Sequence, residues 1–352
     1  MLSSVDCITT TCESEFLVHT TKQRNNPLAR SLGVRQIVRR ILIAVVAFAF
    51  ATGASAAEMR FYQLPAGAFP HDVAPALDGS VWFSGQQQGF AGRFDPETGR
   101  LEKIPLGLGA APHGVIVGPD GNAWLTEGGQ NAIARVDAKT KDVKLFPLPA
   151  AFARANLNTL AFDGKGIVWF TGQSGVYGRA DPKSGKVDAW KAPRGFGPYG
   201  MTATPSGDIW YASLAGDYIA RIDTTAAEVT VVDPPSKGVG PRRIWSDSKG
   251  VLWVSFWNTG AIGRYDPTAK KWAVFPLPHS KSGAYAMYVD DKDQIWATDW
   301  PANAIQRFDP NTATYTTFPS DKKGADVRQM LGRPGEVWGG ESGTDRLVVI
   351  RN

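Results

Sequence analysis

Seven tryptophans, Trp82, Trp124, Trp169, Trp210, Trp253, Trp296 and Trp338, recur at spacings of 42, 45, 41, 43, 43 and 42 residues. Around each of them the same unit can be read from Phe61 onward. It comprises a short apolar strand, an Asp-Gly type turn, a strand holding the Trp, a polar loop, a strand of the form Ile-x-Arg-apolar-Asp, a second turn, and a strand ending near proline. Asp78-Gly79, Asp120-Gly121 and Ser206-Gly207 supply the first turn, where a tight hairpin must reverse. Asp95-Pro96, Asp181-Pro182, Asp266-Pro267 and Asp309-Pro310 supply the second. A period of this length with four short strands per unit predicts a β-propeller.

A ring of blades must also close, because loose ends would leave strand edges unpaired. The seventh unit ends near Arg351 after three strands, whereas residues 59–65 (MRFYQLP) resemble the fourth-strand endings at 145–149 (LFPLP) and 274–278 (VFPLP). The expected fold is therefore all-β: a seven-bladed β-propeller with four-stranded blades, the last closed by the N-terminal strand, forming one domain over residues 57–352. Composition agrees. With 38 Gly, 24 Pro and 12 Trp, 43% hydrophobic and only 20% charged residues, the chain is turn-rich and ordered, unlike a disordered, coiled-coil or collagenous one. Its core is large enough to need no metal or disulfide staple.

Residues 1–56 differ in character. Both cysteines, Cys7 and Cys12, lie there, so the propeller has neither disulfides nor cysteine-ligated zinc. Six cations and three anions also lie there, which leaves 32 cations against 30 anions in the body. Such a body offers no basic run to a phosphate backbone, and no nucleic-acid partner is expected. Arg35, Arg39 and Arg40 precede the apolar run 41–50, and Ala54-Ser55-Ala56 provides the small residues a signal peptidase needs. The apolar run is short for a bilayer span, which takes about 20 residues. Cleavage before Ala57, a periplasmic or secreted monomeric protein, and no stable membrane insertion after cleavage are the expectations.

Propeller topology places the start of the first strand and the end of the second on one face of each blade. Eleven residues before each marker Trp, ten in the last blade, stand His71, His113, Asn158, Tyr199, Arg242, Tyr285 and Arg328. All seven are polar, and buried polar groups cost free energy unless paired. Either they bond one another across the channel, or they line a mouth that binds a ligand. Three residues after the Trp lie Glu127, Asp299 and Glu341, carboxylates suited to a divalent cation. Trp257 and Trp300 follow in neighbouring blades as an apolar wall. Residues repeated once per blade, such as Arg93, Arg135 and Arg179 or Asp95, Asp137 and Asp181, are expected to serve the scaffold, and His279 lies outside the ring. No Walker loop, dinucleotide fingerprint, serine-hydrolase elbow or HExxH element is present, and no organic cofactor is expected.

The run Pro112-His113-Gly114-Val115, then Gly118-Pro119-Asp120-Gly121-Asn122-Ala123-Trp124-Leu125-Thr126-Glu127 and Asn131-Ala132-Ile133-Ala134-Arg135, resembles the blade unit of the virginiamycin B lyase (streptogramin lyase) family. So do Trp296-Ala297-Thr298-Asp299-Trp300-Pro301-Ala302-Asn303-Ala304-Ile305 and the Phe-Pro-Leu-Pro endings. The resemblance implies magnesium-assisted elimination: a base removes the proton α to a carbonyl and the lactone of a cyclic depsipeptide opens. It places histidines at the channel position of the last two blades, where this chain has Tyr285 and Arg328. Asp326 stands where the family has a Glu before its final His, and Glu341 approximates a later Glu. The implied metal ligands are therefore Asp326 and Glu341, with Asp299 and Glu127 as further carboxylates, and His71 or His113 would be the base. The mouth residues Asn158, Tyr199, Arg242, Tyr285, Arg328, Trp257 and Trp300 would then meet a small-molecule or cyclic-peptide ligand. Two alternatives accompany this expectation: a noncatalytic ligand- or protein-binding propeller, and a calcium-dependent lactone hydrolase resembling gluconolactonases.

Overall fold

The computed structural model describes residues 57–279 and 283–351, all within the unit Ala54–Asn352. The expected signal peptide lies outside the described residues. Among these residues, no helix is long and apolar enough to cross a membrane.

The strands form seven separate antiparallel sheets of four strands each. Six are built from consecutive strands. The seventh combines Val327–Arg333, Glu336–Glu341 and Arg346–Arg351 with the N-terminal Glu58–Gln63, which pairs from Glu58 opposite Arg351 to Gln63 opposite Arg346. The two chain ends thus fasten the ring, as the short last unit predicts.

Each marker Trp is at most 4% exposed in the layer between blades. Its indole N–H needs a buried acceptor. In five blades an acidic residue supplies it: Asp120 for Trp124, Asp163 for Trp169, Asp247 for Trp253, Asp290 for Trp296 and Glu336 for Trp338, at 2.8–3.1 Å. This explains an acid at or beside the first turn of these blades. The repeated arginines also reach nearby acids: Arg93 bonds Asp78, Arg135 bonds Asp120 and Arg221 bonds Asp208. The Asp of the second turn accepts backbone N–H groups one to two residues beyond its neighbour, as Asp95 does from Glu97 and Thr98.

At the axis every inner strand carries an irregularity. Against the second strand, Pro70 pairs with Gly85 but Val73 pairs with Phe83, and the same one-residue slip recurs in all seven blades. An inserted residue leaves a backbone N–H off the ladder. A hydroxyl two residues after the marker Trp takes it: Ser84 accepts from Asp72 N, Thr126 from Gly114 N, Thr171 from Thr159 N, Ser255 from Arg243 N and Thr298 from Ala286 N, at 2.7–3.2 Å. Four of these hydroxyls then donate to the bulge carbonyl of the next blade. Ser84 reaches His113 O at 2.5 Å, Thr126 reaches Asn158 O at 2.6 Å, Ser255 reaches Tyr285 O at 2.8 Å, and Thr171 reaches Tyr199 O. One side chain therefore satisfies its own blade and sews it to its neighbour. Close approach is part of the device, since a Cβ on Gly114 would lie 2.5 Å from Asn158 O.

The fourth and seventh blades carry Ala212 and Gly340 at the hydroxyl position. Replacing Thr126 by Val keeps the shape but leaves the buried Gly114 N–H and Asn158 carbonyl without this partner. Chemical denaturation should show a loss of about 2 kcal/mol, within the roughly 1–3 kcal/mol cost of stranding a buried polar group. Thr126→Ser, which retains the hydroxyl, should lose less than half as much. Equal losses in the two variants would assign Thr126 to packing alone.

Candidate functional site

The bulge sends two consecutive residues per blade toward the axis. The first are the seven expected polar residues, His71, His113, Asn158, Tyr199, Arg242, Tyr285 and Arg328. The second are Asp72, Gly114, Thr159, Gly200, Arg243, Ala286 and Gln329. Sequence spacing alone marks only the first set, because a regular strand would turn the next residue away. Ser84, Thr126, Thr171, Ser255 and Thr298 were the signal for the second.

On one side of the axis the imidazoles of His71 and His113 lie 3.9 Å apart. His71 Nδ1 is 2.8 Å from Asp72 Oδ1. A carboxylate only accepts, so Nδ1 carries the proton and Nε2 keeps its lone pair. His113 Nδ1 donates to Asn158 O at 3.1 Å, and its Nε2 accepts from Asn158 Nδ2 at 3.2 Å. Burial holds both histidines well below their usual pKa. Arg328, Arg243 and Arg242 reinforce the effect at His71, and His71 does so at His113.

Two bridges cross the axis. Arg243, 1% exposed, reaches from the fifth blade to Thr159 Oγ1 at 2.7 Å and Asp72 Oδ1 at 3.1 Å. The second bridge is a 2.6 Å bond between the hydroxyls of Tyr199 and Tyr285 in the fourth and sixth blades. Burial, then the neighbouring Tyr285, pushes the Tyr199 phenol up to about 12. Burial also opposes ionisation of Tyr285, but Arg242, Arg243, the Tyr199 hydrogen bond and Arg328 together hold its pKa below the usual value.

Around these buried bridges lies a half-buried layer of arginines and aromatics. The Arg242 guanidinium stands 3.5 Å from the centre of the Tyr285 ring and 4.4 Å from that of Trp257, and it donates to Tyr199 Oη at 3.0 Å. Arg328 lies 5.1 Å from the Trp300 ring and 5.4 Å from Phe69, and its Nε donates to Ser342 Oγ at 2.9 Å. Trp300 stacks on Tyr285 at 4.7 Å, and Trp257 meets Trp300 edge-on at 5.6 Å. The expected apolar wall is thus a continuous aromatic shelf. The other half of the axis is apolar, with a cavity of about 420 Å³ lined by Ile116, Leu160, Met201, Trp245, Tyr288 and Leu331, among others.

The carboxylates are placed differently. Glu127 is fully buried, and its Oε1 accepts from the backbone N–H groups of Ala111, Gly129 and Gln130, while burial raises its pKa. Glu341 accepts from Ser320, Thr344 and Arg346, using both oxygens. Asp299 caps Ala302 N, and Asp326 occupies a left-handed backbone position at φ 51°. Asp299, Asp326 and Glu341 do line one cavity between the sixth and seventh blades, but its volume is about 10 Å³, room for one water at most. A magnesium ion demands several oxygen donors at about 2.1 Å in octahedral array. These residues do not fit it, because Glu341 is committed to Arg346 and the donor atoms do not converge. Among the described residues the metal-ligating types converge only at His71, Asp72 and His113, within 4.8 Å of one another. There Arg243 already supplies the positive charge beside Asp72, and Asn158 occupies the His113 lone pair.

Seven four-stranded blades round an axis, polar in one half and apolar in the other, define a seven-bladed β-propeller. The family model for the virginiamycin B lyase family matches residues 51–176 and 107–352, and the chain belongs to that family. A streptogramin B lyase structure superposes with a TM-score of 0.77 at 22% identity, covering 84% of this chain and 97% of that one. A catalytically inactive histidine-to-alanine variant of virginiamycin B lyase from Staphylococcus aureus with quinupristin gives 0.78 at 22%, covering 84% and 100%. YCF48 bound to D1 peptide gives 0.67 at 15%, covering 84% and 97%. These identities speak for the fold. No curated protein matches the chain.

The histidine environment makes stability depend on pH. In the unfolded chain both rings protonate near 6.5, the ordinary value, whereas in the fold they stay neutral well below it. Below about pH 6.5 the unfolded state therefore binds more protons, and stability should fall as pH falls and stay level above. Two such rings give a slope of at most about 2.7 kcal/mol per pH unit. Denaturant titrations from about pH 8 to 5 should show this slope, and it should flatten in a His71→Gln, His113→Gln variant. An unchanged slope in that variant would mean that other groups carry it.

Proposed function

We propose that this chain is an exported ligand-binding propeller whose polar mouth takes a small molecule or cyclic peptide. One observation carries the reading: the Arg243–Asp72 and Tyr199–Tyr285 bridges cross the axis beside a half-buried shelf of Arg242, Arg328, Trp257 and Trp300. The shelf combines aromatic area with fixed donors, the mixture that small-molecule sites use. A scaffold role alone would be served by apolar packing, and it would not place two half-buried arginines, without ion-pair partners among the described residues, over aromatic rings.

The oriented His71 favours a second reading, elimination in the manner of the family. Its neutral ring, held by Asp72 with Nε2 free of the proton, has the protonation state a general base needs. In that reaction the base takes the proton α to a carbonyl, the β carbon–oxygen bond breaks with its electron pair leaving on the ester carboxylate, and a carbon–carbon double bond forms. Arginine would stabilise the developing negative charge. No step is assigned to a metal.

Incubation of the purified protein with a streptogramin B, followed by mass spectrometry and chromatography, separates the two. Binding without conversion supports the first reading. A linear product of unchanged mass, lost in His71→Ala, would replace it with the second, whereas a product heavier by one water would mark a hydrolase and contradict both.

A further inference from the structure

Positive charge exceeds negative charge at the mouth. Arg243 has Asp72 as its partner, but among the described residues neither Arg242 nor Arg328 forms an ion pair, and Asp326, two residues before Arg328, does not pair with it. Both guanidiniums instead lie against rings, Arg242 on Tyr285 and Trp257, Arg328 on Trp300 and Phe69. Stacking fixes a guanidinium plane while leaving N–H groups at its edge, and that planar fork matches the two oxygens of a carboxylate.

Two further features point to a missing acceptor or donor. Arg242 Nε is buried without a hydrogen-bond partner, as is Arg243 Nε. Gln329, 5% exposed and at the same bulge position as Asp72, Thr159 and Arg243, has a buried Oε1 without a partner. Phe69, whose ring faces Arg328, is held at φ 43°, a conformation costly for an aromatic residue. Bonds from Gly67 N and Phe69 N to the Asp345 carboxylate, both 2.7 Å, keep it there. Strain retained at an arginine-facing ring fits a recognition site.

We infer that Arg242 and Arg328 form a receptor for the carboxylate of an aromatic acid, whose ring lies on the half-buried Trp257 and Trp300, with the buried Tyr285 backing the shelf. The inference rests on the mouth being the ligand site and adds the chemical class of the ligand. A carboxylate suits the site because it lies in the plane of an attached ring, so one flat ligand meets both the stacked aromatics and the guanidinium edges. It supplies the negative charge that the mouth lacks. It is also the group that ester elimination would release, so the same arginines would hold a product carboxylate.

Isothermal titration with 2-naphthoate, beside its neutral isostere 2-naphthalenemethanol, tests this directly. The acid should bind at least tenfold more tightly than the alcohol. Arg242→Gln and Arg328→Gln should each weaken the acid about tenfold and leave the alcohol unchanged, with melting curves confirming that both variants fold. Equal binding of acid and alcohol, insensitive to both arginines but lost in Trp257→Ala, would overturn the carboxylate receptor and leave the mouth as the ligand site. Acid binding unchanged in all three variants would overturn both. Absence of binding by the acid would overturn the receptor.

Discussion

The hydroxyl two residues after the marker tryptophan, present in five of the seven blades, is the interaction on which the axis depends. Each inner strand of this ring carries a bulge at the axis, which takes a backbone N–H off the ladder. Here Ser84, Thr126, Thr171 and Ser255 take the freed N–H of their own bulge and give their proton to the carbonyl of the next. Packing of tryptophans would hold the blades together at many rotational settings. A short hydrogen bond from one blade to a particular carbonyl of the next selects one setting, and it fixes which side chains face each other across the channel.

That fixed setting makes possible the contacts between blades distant in sequence. Arg243 and Asp72 are 171 residues apart, and Tyr199 and Tyr285 are 86 apart, yet both pairs meet at hydrogen-bond distance. Burying a guanidinium and a carboxylate is costly unless they meet in good geometry with partners for their other groups, and Thr159 and His71 supply such partners here, with Arg243 Nε left without one among the described residues. Gly114 and Gly200 at the same bulge position let the neighbouring inner strand approach, since a Cβ there would lie 2.5 Å from Asn158 O and 2.6 Å from Arg243 Cα. This is a polar floor, with Arg243 supplying the positive charge beside Asp72.

Much of the architecture was legible in the chain itself. Trp spacing defined the blade count, and the MRFYQLP segment, matched to the LFPLP and VFPLP endings, identified the closing strand. The seven channel positions also followed from the repeat. Asp72 and Arg243 were not legible as partners, because a regular strand alternates its faces and the bulge breaks that alternation. Glu127 and Glu341 illustrate the opposite limit. Their residue type suggested a cation, but loop backbone claims Oε1 of Glu127 and Arg346 claims Glu341, and no spacing rule reports which neighbour a carboxylate will meet. Family membership describes the scaffold securely, while the chemistry of the mouth has to be read from this chain's own residues, Tyr285 and Arg328 among them.

The most direct measurement of the account is a double-mutant cycle across the axis, with Asp72→Ala, Arg243→Met and the pair compared by equilibrium denaturation. If the bridge floors the mouth, each single change strands a buried charge, and the double variant recovers much of the combined loss. The coupling should then be about 2 kcal/mol or more, within the range of roughly 0.5–3 kcal/mol seen for residues in contact. Losses that add to within about 0.5 kcal/mol would show that Asp72 and Arg243 act independently, and would contradict a closed polar floor.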